Sequence, residues 1–352
     1  MRYLLIYSKM ITIDGSLGEG GGQILRTSVA MSAITKEPVK IINIRKNRPN
    51  PGLSASHFHA IDAVAQLCNA EVSGLKIGSK EVEFKPGSDP IGAKKLNIDV
   101  GTAGSITLIL QALMIPAGAA KGVVTINIRG GTDVSWSPPI DYLRFVTIPI
   151  LKKFGYNCEI DVLKRGFYPK GGGKVEMKIT APEKLNKINL MERGKLKGIY
   201  GISNAHVNLK SADVAKRQMK TARPLLFNNL ANLTKNSDFI KIEQEYSDTL
   251  SYGSGITLWA EYDNTILGAD SLGAKGKRAE VVGKDAAYEL IDEINSGACL
   301  DRYMGDQIVP YVALFGGRVK VSEITEHART NVEIVNKFGF GVGIDDKIIF
   351  KD

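Results

Sequence analysis

The chain has little of what redox, zinc or secreted chemistry needs. Its 352 residues hold three cysteines, Cys68, Cys158 and Cys299, far apart, odd in number and set among apolar neighbours. That excludes a disulfide framework and reads as buried thiols in a reducing compartment. Only four histidines occur. His57 and His59 are two apart, which puts them on different faces of a helix and makes them a poor metal pair. His206 has no ligand cluster around it. There is no Ser–His–Asp order, no Cys–His pair and no Cys-x-x-Cys, so zinc chemistry is not expected. No apolar run approaches the roughly 20 residues of a membrane span. Tyr3–Tyr7 is too short for a signal core and lacks a small-residue cleavage site. These absences predict a cytoplasmic protein with no membrane partner. The nine residues before Met10 read as an appendage, which makes Met10 a candidate natural start. Acidic residues are the minority, 37 against 46 basic ones, for a net charge of +9. That favours a polyanionic partner, nucleic acid above all, although a basic surface kept for solubility would give the same balance.

Glycine, by contrast, is clustered. Asp14-Gly15-Ser16-Leu17-Gly18-Glu19-Gly20-Gly21-Gly22-Gln23 crowds glycines around one carboxylate. An apolar-periodic run, Ile24, Leu25, Val29, Met31 and Ile34, follows at once. Glycine lets backbone approach a ligand closely, and a helix beginning there aims its free N–H groups at an anion. The run is neither a Walker A loop nor a convincing dinucleotide turn. It reads as a phosphate-handling turn with an acid inside it.

Strands alternate with helices along the chain. Strands are expected at Met10–Ile13, Val39–Ile44, Glu81–Phe84, Lys95–Val100, Val123–Ile128, Tyr156–Val162 and Lys174–Ile179. Helices are expected from Gln23 to about Ala33, and over Ser56–Asn69, Ile106–Ile115 and Asp141–Phe154. Helices open at Gly22-Gln23, Gly104-Ser105 and Gly305-Asp306. The three glycines lie 82 and 201 residues apart. A foreign segment of roughly 110 residues in the second interval restores the first spacing. Residues 187–296 have their own strand–helix–strand–strand–helix order and are the candidate insert.

Several side chains carry candidate chemistry. Arg45 and Arg48 follow a strand and precede two prolines that stiffen their loop, which suits bidentate phosphate binding; a solvated basic turn would look the same. Gln111 is the one strongly polar side chain inside an apolar helix, and by itself reads as a core residue bonded to backbone. Trp136–Tyr142 reads as a Pro-fixed helix start with a structural role, and Asp133 is ambiguous. His327 stands just before a helical run, Val332–Phe338. A lone histidine is usually structural, but Arg329, Thr330 and Asn331 beside it suit phosphate binding, helix capping and ring orientation, and neutral imidazole is a competent nucleophile towards phosphorus.

Seven segments occur in an order that resembles one family. They are Gly18–Arg26; Arg45…Arg48-Pro49…Pro51-Gly52-Leu53; Gly104-Ser105…Leu110-Gln111; Gly130–Asp133; Gly166–Gly173; Gly305-Asp306-Gln307; and His327–Asn331. Together they are similar to the RNA 3′-terminal phosphate cyclases from about Met10 onwards. The resemblance implies an α/β (α+β) fold. Its catalytic core of repeated βαβαββ units, similar to enolpyruvyl transferase repeats, takes up residues 1–186 and 297–352. A small thioredoxin-like domain is inserted at 187–296, without a redox motif. The implied activity is a ligase-type nucleotidyl transfer, the ATP-dependent conversion of an RNA 3′-phosphate to a 2′,3′-cyclic phosphate through a histidine–AMP intermediate. Carried over, His327 is the nucleophile and Glu19 the anchor of a divalent metal, Mg or Mn. Gln111, Tyr303, Met304, Gly305, Asp306 and Gln307 fall on ATP-binding positions, with Tyr303, Asp306 and Gln307 the firmer matches. Arg26, Arg45 and Arg48 fall on basic positions that face ATP or RNA phosphate, and His57 falls on a family histidine. The partners implied are RNA 3′-phosphate ends. The oligomeric state is left open, a dimer being one option.

Three rivals stand beside this reading. A non-catalytic cyclase-like RNA-binding protein of ribosome assembly or RNA processing would lack the histidine. An enolpyruvyl transferase would not need an adenylylation segment. A plain RNA-binding protein explains the charge but not the Glu19 turn.

Overall fold

A computed structural model describes residues 10–181, 186–233 and 237–352; the appendage expected before Met10 lies outside the described residues. The first unit runs β1 (Ile11–Asp14), α1 (Gln23–Thr35), β2 (Val39–Ile42), α2 (Ala55–Cys68), β3 (Glu71–Ser73) and β4 (Val82–Lys85). The second runs β5 (Gly92–Asp99), α3 (Ile106–Ala117), β6 (Lys121–Gly130), α4 (Ile140–Tyr142), α5 (Ile148–Lys152), β7 (Asn157–Lys164) and β8 (Gly173–Thr180). A third opens with β9 (Ile188–Leu190) and is then interrupted. The interruption holds β10 (Leu196–His206), α6 (Val214–Asn229), β11 (Ile240–Ser247), β12 (Ser254–Tyr262), β13 (Ile266–Leu272) and α7 (Ala279–Asn295). The third unit resumes with α8 (Arg302–Phe315), β14 (Gly317–Lys320), α9 (Glu326–Lys337), β15 (Gly343–Asp345) and β16 (Ile348–Lys351).

The three units share one topology. Their sheets have the orders β1-β2-β4-β3, β5-β6-β8-β7 and β9-β14-β16-β15. In each, the first pair is parallel and the rest are antiparallel. A parallel pair cannot be joined by a tight turn, so a helix must cross over between its strands. Each sheet buries one face. Along β5, Leu96 and Ile98 are buried while Lys95, Asn97 and Asp99 are exposed, the period of two that a one-sided sheet requires. Helix α1 lies at the centre, packed by α2, α3 and α9, with Ile24, Val29, Ala30 and Met31 fully buried. Its hydroxyls are satisfied internally, as where Ser28 Oγ donates to the Ile24 carbonyl at 2.6 Å. The interruption forms a fourth sheet, β11-β10-β12-β13, carrying α6 and α7 over a core of its own.

Several expectations are corrected. Ile188–Leu190, placed at the start of the insert, instead pairs parallel with β14 and sits in the main core. The helix expected over Asp141–Phe154 is broken by a π turn at Leu143–Thr147. Pro149 supplies the reason: it has no N–H to give and its ring crowds the carbonyl one turn back. Helix α8 opens at Arg302, capped by Asp301, so Gly305 lies inside its first turns rather than in a preceding loop. Helix α9 opens at Glu326, so His327 is a first-turn residue.

The second unit and the fourth sheet are joined by a buried ion cluster. The Arg165 guanidinium, 2% exposed, reaches Asp141 at 2.7 Å, Glu245 of β11 at 2.7 Å and Asp133 at 3.4 Å. Asp133 is thereby explained: burial pushes its carboxyl up while Arg165 pulls it down. Breaking such a cluster leaves carboxylates uncompensated. Arg165→Met is therefore expected to lower stability by about 3–5 kcal/mol, read from the urea midpoint. An unchanged midpoint would show the cluster to be energetically idle.

Candidate active site

A cleft of about 1350 Å³ opens where the three units meet. Its walls include nine of the eleven residues singled out from the sequence: Glu19, Arg26, Arg45, Arg48, Gln111, Tyr303, Asp306, Gln307 and His327. Residues more than 300 positions apart in the chain become neighbours there.

The glycine turn forms one wall. Gly18 has φ +51°, and a Cβ on it would lie 2.6 Å from the Thr330 hydroxyl, so only glycine lets the turn lie against α9. Helix α1 starts directly behind, at Gly22, with no side-chain cap and no acid in its first turn. The Ile24 N–H donates to the Gly21 carbonyl at 3.3 Å, and the Gln23 and Leu25 N–H groups, without a partner among the described residues, suit an anion. Glu19 Oε2 lies 3.2 Å from Arg48 Nη2 and 3.8 Å from His327 Nδ1.

His327 is held through its helix rather than its ring. The Thr325 hydroxyl caps α9 by accepting from the Ala328 N–H at 3.0 Å, and donates to the Asp306 carboxylate. Asn331 donates from Nδ2 to the Asp306 carbonyl at 2.9 Å and accepts from the Thr27 hydroxyl at 2.8 Å. Helices α1, α8 and α9 are thus tied one turn behind the imidazole. Burial pushes the His327 ring below its ordinary value; Glu19 pulls it up, and Arg26 and Arg48 push it down again. Burial also pushes Asp306 up to about 7.

The cations are uneven. Arg48 is paired with Glu19. Arg45 takes a left-handed conformation, φ +52°, and donates to the Gly52 carbonyl at 3.1 Å. Arg26 has no carboxylate or hydrogen-bond partner among the described residues, and burial pushes it down to about 10. Between them lies His57, whose Nδ1 accepts from the Ser54 N–H at 3.4 Å. Burial, then Arg26, then Arg45 push His57 down to about 3, so it is neutral at pH 7.

Helix α8 sorts its own residues by period. Tyr303, Asp306 and Gln307 face the cleft. Met304 is fully buried in the core and Gly305 packs on Val321, so neither of these two expected ATP contacts reaches the cleft. The Tyr303 hydroxyl donates to Glu289 at 2.7 Å, and Gln307 accepts from the Thr147 hydroxyl at 2.9 Å. Gln111, read alone as a core residue, is half-buried and opens onto the cleft.

Some site residues were not anticipated. Gln23 is 5% exposed, lines the cleft and has neither amide atom partnered. Trp136 and Tyr168 stand at the mouth. The Thr325 cap was legible in principle, as a Thr three residues before Ala328 at a helix start. Its tie to Asp306 is long-range and has no sequence signal. No group of three or more His, Cys, Asp or Glu among the described residues would hold a metal, leaving Glu19 as a single carboxylate.

Asn331→Ala is expected to strand the Thr27 hydroxyl and the Asp306 carbonyl. The expected cost is about 1–3 kcal/mol in urea unfolding, with faster hydrogen exchange at the start of α9. Unaltered exchange there would mean that the tie does not hold His327.

A family model described as RNA 3′-terminal phosphate cyclase matches residues 17–344. Curated relatives of that name include one from Pyrococcus abyssi, 49% identical over 94% of this chain and 93% of the relative. Another, from Pyrococcus furiosus, is 50% identical over 94% and 93%. A third, from Methanopyrus kandleri, is 46% identical over 94% and 93%. Among solved structures the chain is similar to the enolpyruvyl transferase NikO from Streptomyces tendae. That match has a TM-score of 0.29 and 13% identity over 49% of this chain and 33% of that one, and carries no argument. The matched segment spans both the glycine turn and the His327 helix, and the chain belongs to the RNA 3′-terminal phosphate cyclase family.

Proposed function

We propose that this chain, an enzyme of the cyclase family, converts RNA 3′-phosphate ends to 2′,3′-cyclic phosphates with ATP, through an adenylate on His327. The observation that carries the assignment is the placing of one neutral imidazole, in the first turn of α9, opposite a glycine turn and an unpaired Arg26. ATP fits this donor set. Among the described residues the Gln23 and Leu25 N–H groups at the start of α1, the Gln23 side-chain amide and Arg26 have no acceptor, and a phosphate would supply one. A divalent ion, Mg or Mn, fits as well, since such ions often take one carboxylate and complete their shell with phosphate oxygens and water. Glu19 would hold it, and when bound it neutralises charge on the leaving pyrophosphate.

His327 acts first. Its Nδ1 faces Glu19, which leaves Nε2 to attack the α-phosphorus. The N–P bond forms, the bridging P–O bond breaks, and pyrophosphate departs with the electron pair. The ring becomes cationic, and the Glu19 carboxylate faces that charge. Arg26 and Arg45 stand ready as donors for the developing phosphate charge. An oxygen of the RNA 3′-phosphate then attacks the adenylate phosphorus, and the N–P bond breaks to regenerate neutral His327. The product is a phosphoanhydride with AMP as a good leaving group. The adjacent 2′-oxygen attacks the RNA phosphorus, AMP leaves with the anhydride electron pair, and the hydroxyl proton passes to solvent. This last step is intramolecular and gains from high effective molarity. It needs a 2′-OH, so a DNA 3′-phosphate is adenylylated at most and never cyclised. Three buried thiols fit the reducing cytoplasm as the setting.

Incubation with α-labelled ATP and Mg is expected to give an acid-labile, alkali-stable label that disappears in His327→Ala. Wild-type protein without label, or equal label in the variant, rules out the assignment and favours a non-catalytic RNA-binding relative. Because burial and two arginines lower the His327 pKa, the ring stays neutral as pH falls through the ordinary histidine value of 6.5. The acid limb of adenylylation is therefore expected below pH 6.5; a midpoint above it contradicts the electrostatics. Arg45→Lys loses the fork of donors and is expected to slow adenylylation or AMP transfer about tenfold or more. Unchanged rates of both steps would reduce Arg45 to surface charge.

A further inference from the structure

Three aromatic rings stand in water, two in the cleft wall and one on the loop docked beside it. Trp136 is 97% exposed, Tyr168 74% and Tyr252 63%. Trp136 is also held in the left-handed region, φ +66°, a conformation that a bulky L-residue rarely adopts. Exposed rings of this size in a strained backbone call for a ligand.

The three lie on adjoining loops. Trp136 and Tyr168 both line the cleft. A parallel bridge between Asp133 and Phe167 sets their loops side by side. The Tyr168 loop in turn docks on the loop bearing Tyr252. The Lys170 N–H donates to Ser251 Oγ at 3.1 Å, and Gly253 lies so close to the Phe167 ring that a Cβ would overlap it at 2.2 Å. The Tyr252 ring is preorganised. One face stacks on His206 at 4.4 Å, and its hydroxyl accepts from Asn208 at 2.9 Å. Lys170 and Lys174 lie close to Tyr168 in the chain, exposed and without an ion-pair partner among the described residues, and Lys210, two residues from Asn208, is exposed with its Nζ 5.9 Å from the Tyr246 ring centre.

We propose that Trp136, Tyr168 and Tyr252 form a stacking track for the single-stranded nucleotides just 5′ of the terminal phosphate, leading them from the cleft onto the fourth sheet. The inference rests on the cyclase reading for which end of the RNA enters. Exposed rings with exposed lysines on the same loops match a flexible polyanion whose bases each offer a π-face. A protein partner fits less well, because Trp136 and Tyr168 belong to the wall of the cleft itself. The track reads stacking rather than base edges, so it is indifferent to sequence. A duplex, with its bases already stacked, gains nothing from it.

The test is direct binding of fluorescein-labelled RNA 3′-phosphates of two to eight nucleotides, single-stranded or as blunt duplex, to the full chain. Wild-type affinity is expected to rise with single-strand length and to be weaker for the duplex. Tyr252→Ala and Trp136→Gly are each expected to weaken single-strand binding about tenfold, while Tyr252→Phe retains it. Trp136→Gly also relieves the left-handed backbone, so its melting temperature is expected unchanged or higher; a structural role for the ring predicts a fall. Undiminished RNA affinity in both variants overturns the track and leaves the rings to a protein partner. Equal losses for duplex and single strand overturn it too. Labelling of wild-type protein by ATP alone, run alongside, needs no RNA. Its failure would count against His327 as nucleophile and leave the track decided by the binding data.

Discussion

The parallel pairing of the first two strands in each unit is the constraint on which the rest depends. A parallel second strand must start at the same end as the first, so both helices of a unit leave from the same sheet edge. Three units then bring six helix starts to one place. The cleft is lined by Gly22 of α1, Ser54 of α2, Ser105 of α3, Pro138 before α4, Tyr303 of α8 and His327 of α9. Each start carries about half a positive charge. Three of them, α1, α2 and α3, have no acid at the cap or in the first turn to neutralise it, whereas α8 carries Asp301 as its cap. The positive potential of the cleft is therefore a property of topology before any arginine is counted, and repetition of one unit multiplies it.

Such a site holds unmet demands. Among the described residues Arg26 lacks a partner and Gln23 is buried with both amide atoms free, while Arg45 stands in a left-handed conformation. Each costs stability, and each is a demand of the kind a phosphate would meet. The surrounding structure holds them in place. Thr27, Asn331, Asp306 and Thr325 form a chain of bonds from α1 through α9 to α8, and Gly18 lets the turn close against Thr330. His327 needs no contact of its own to be positioned, because its helix is capped and tied one turn away. Under the proposed function, that would leave the ring free to change from nucleophile to adenylate carrier without breaking its supports.

Much of this was legible in the sequence, for local reasons. Glycine turns and apolar periods are properties of a few neighbouring residues, so the units, most helices and the glycine turn are legible from them. The family resemblance carried the pairing of Glu19 with His327, which spacing alone does not give. Other features lie beyond local patterns. The family motif runs through Met304 and Gly305 because motifs are contiguous strings, whereas a helix presents only every third or fourth residue to one side, and neither lines the cleft. Gln111 by itself reads as core, because a single polar residue on an apolar helix does not say which side it faces, and only the resemblance sets it at the cleft. Leu143–Thr147 was read as ordinary helix, although Pro149 held the signal for the break. The strand Ile188–Leu190 was given to the insert because its partner, β14, lies well over a hundred residues later, beyond any local pattern.

The position of the interruption follows from the same geometry. It falls between β9 and α8, at a helix start, where an ordinary unit has only a turn. Its two ends are brought back together: Arg193 donates to the Ile294 carbonyl at 2.6 Å, and its guanidinium lies 4.8 Å from the Tyr262 ring centre. Closing so long an excursion costs only a little more entropy than closing a short one, so β9 still finds β14. Asp301 then rebuilds the start of α8, capping it through the Met304 N–H while accepting from Gly268 of β13 and the Tyr142 hydroxyl. One carboxylate thereby fixes α8, the fourth sheet and the second unit to one another. Asp270 and Leu272 of β13 come to lie in the cleft wall as a result. The fourth sheet is thus not a passenger on the repeats. It closes the cleft on the side where the third unit's own turn would have left it open.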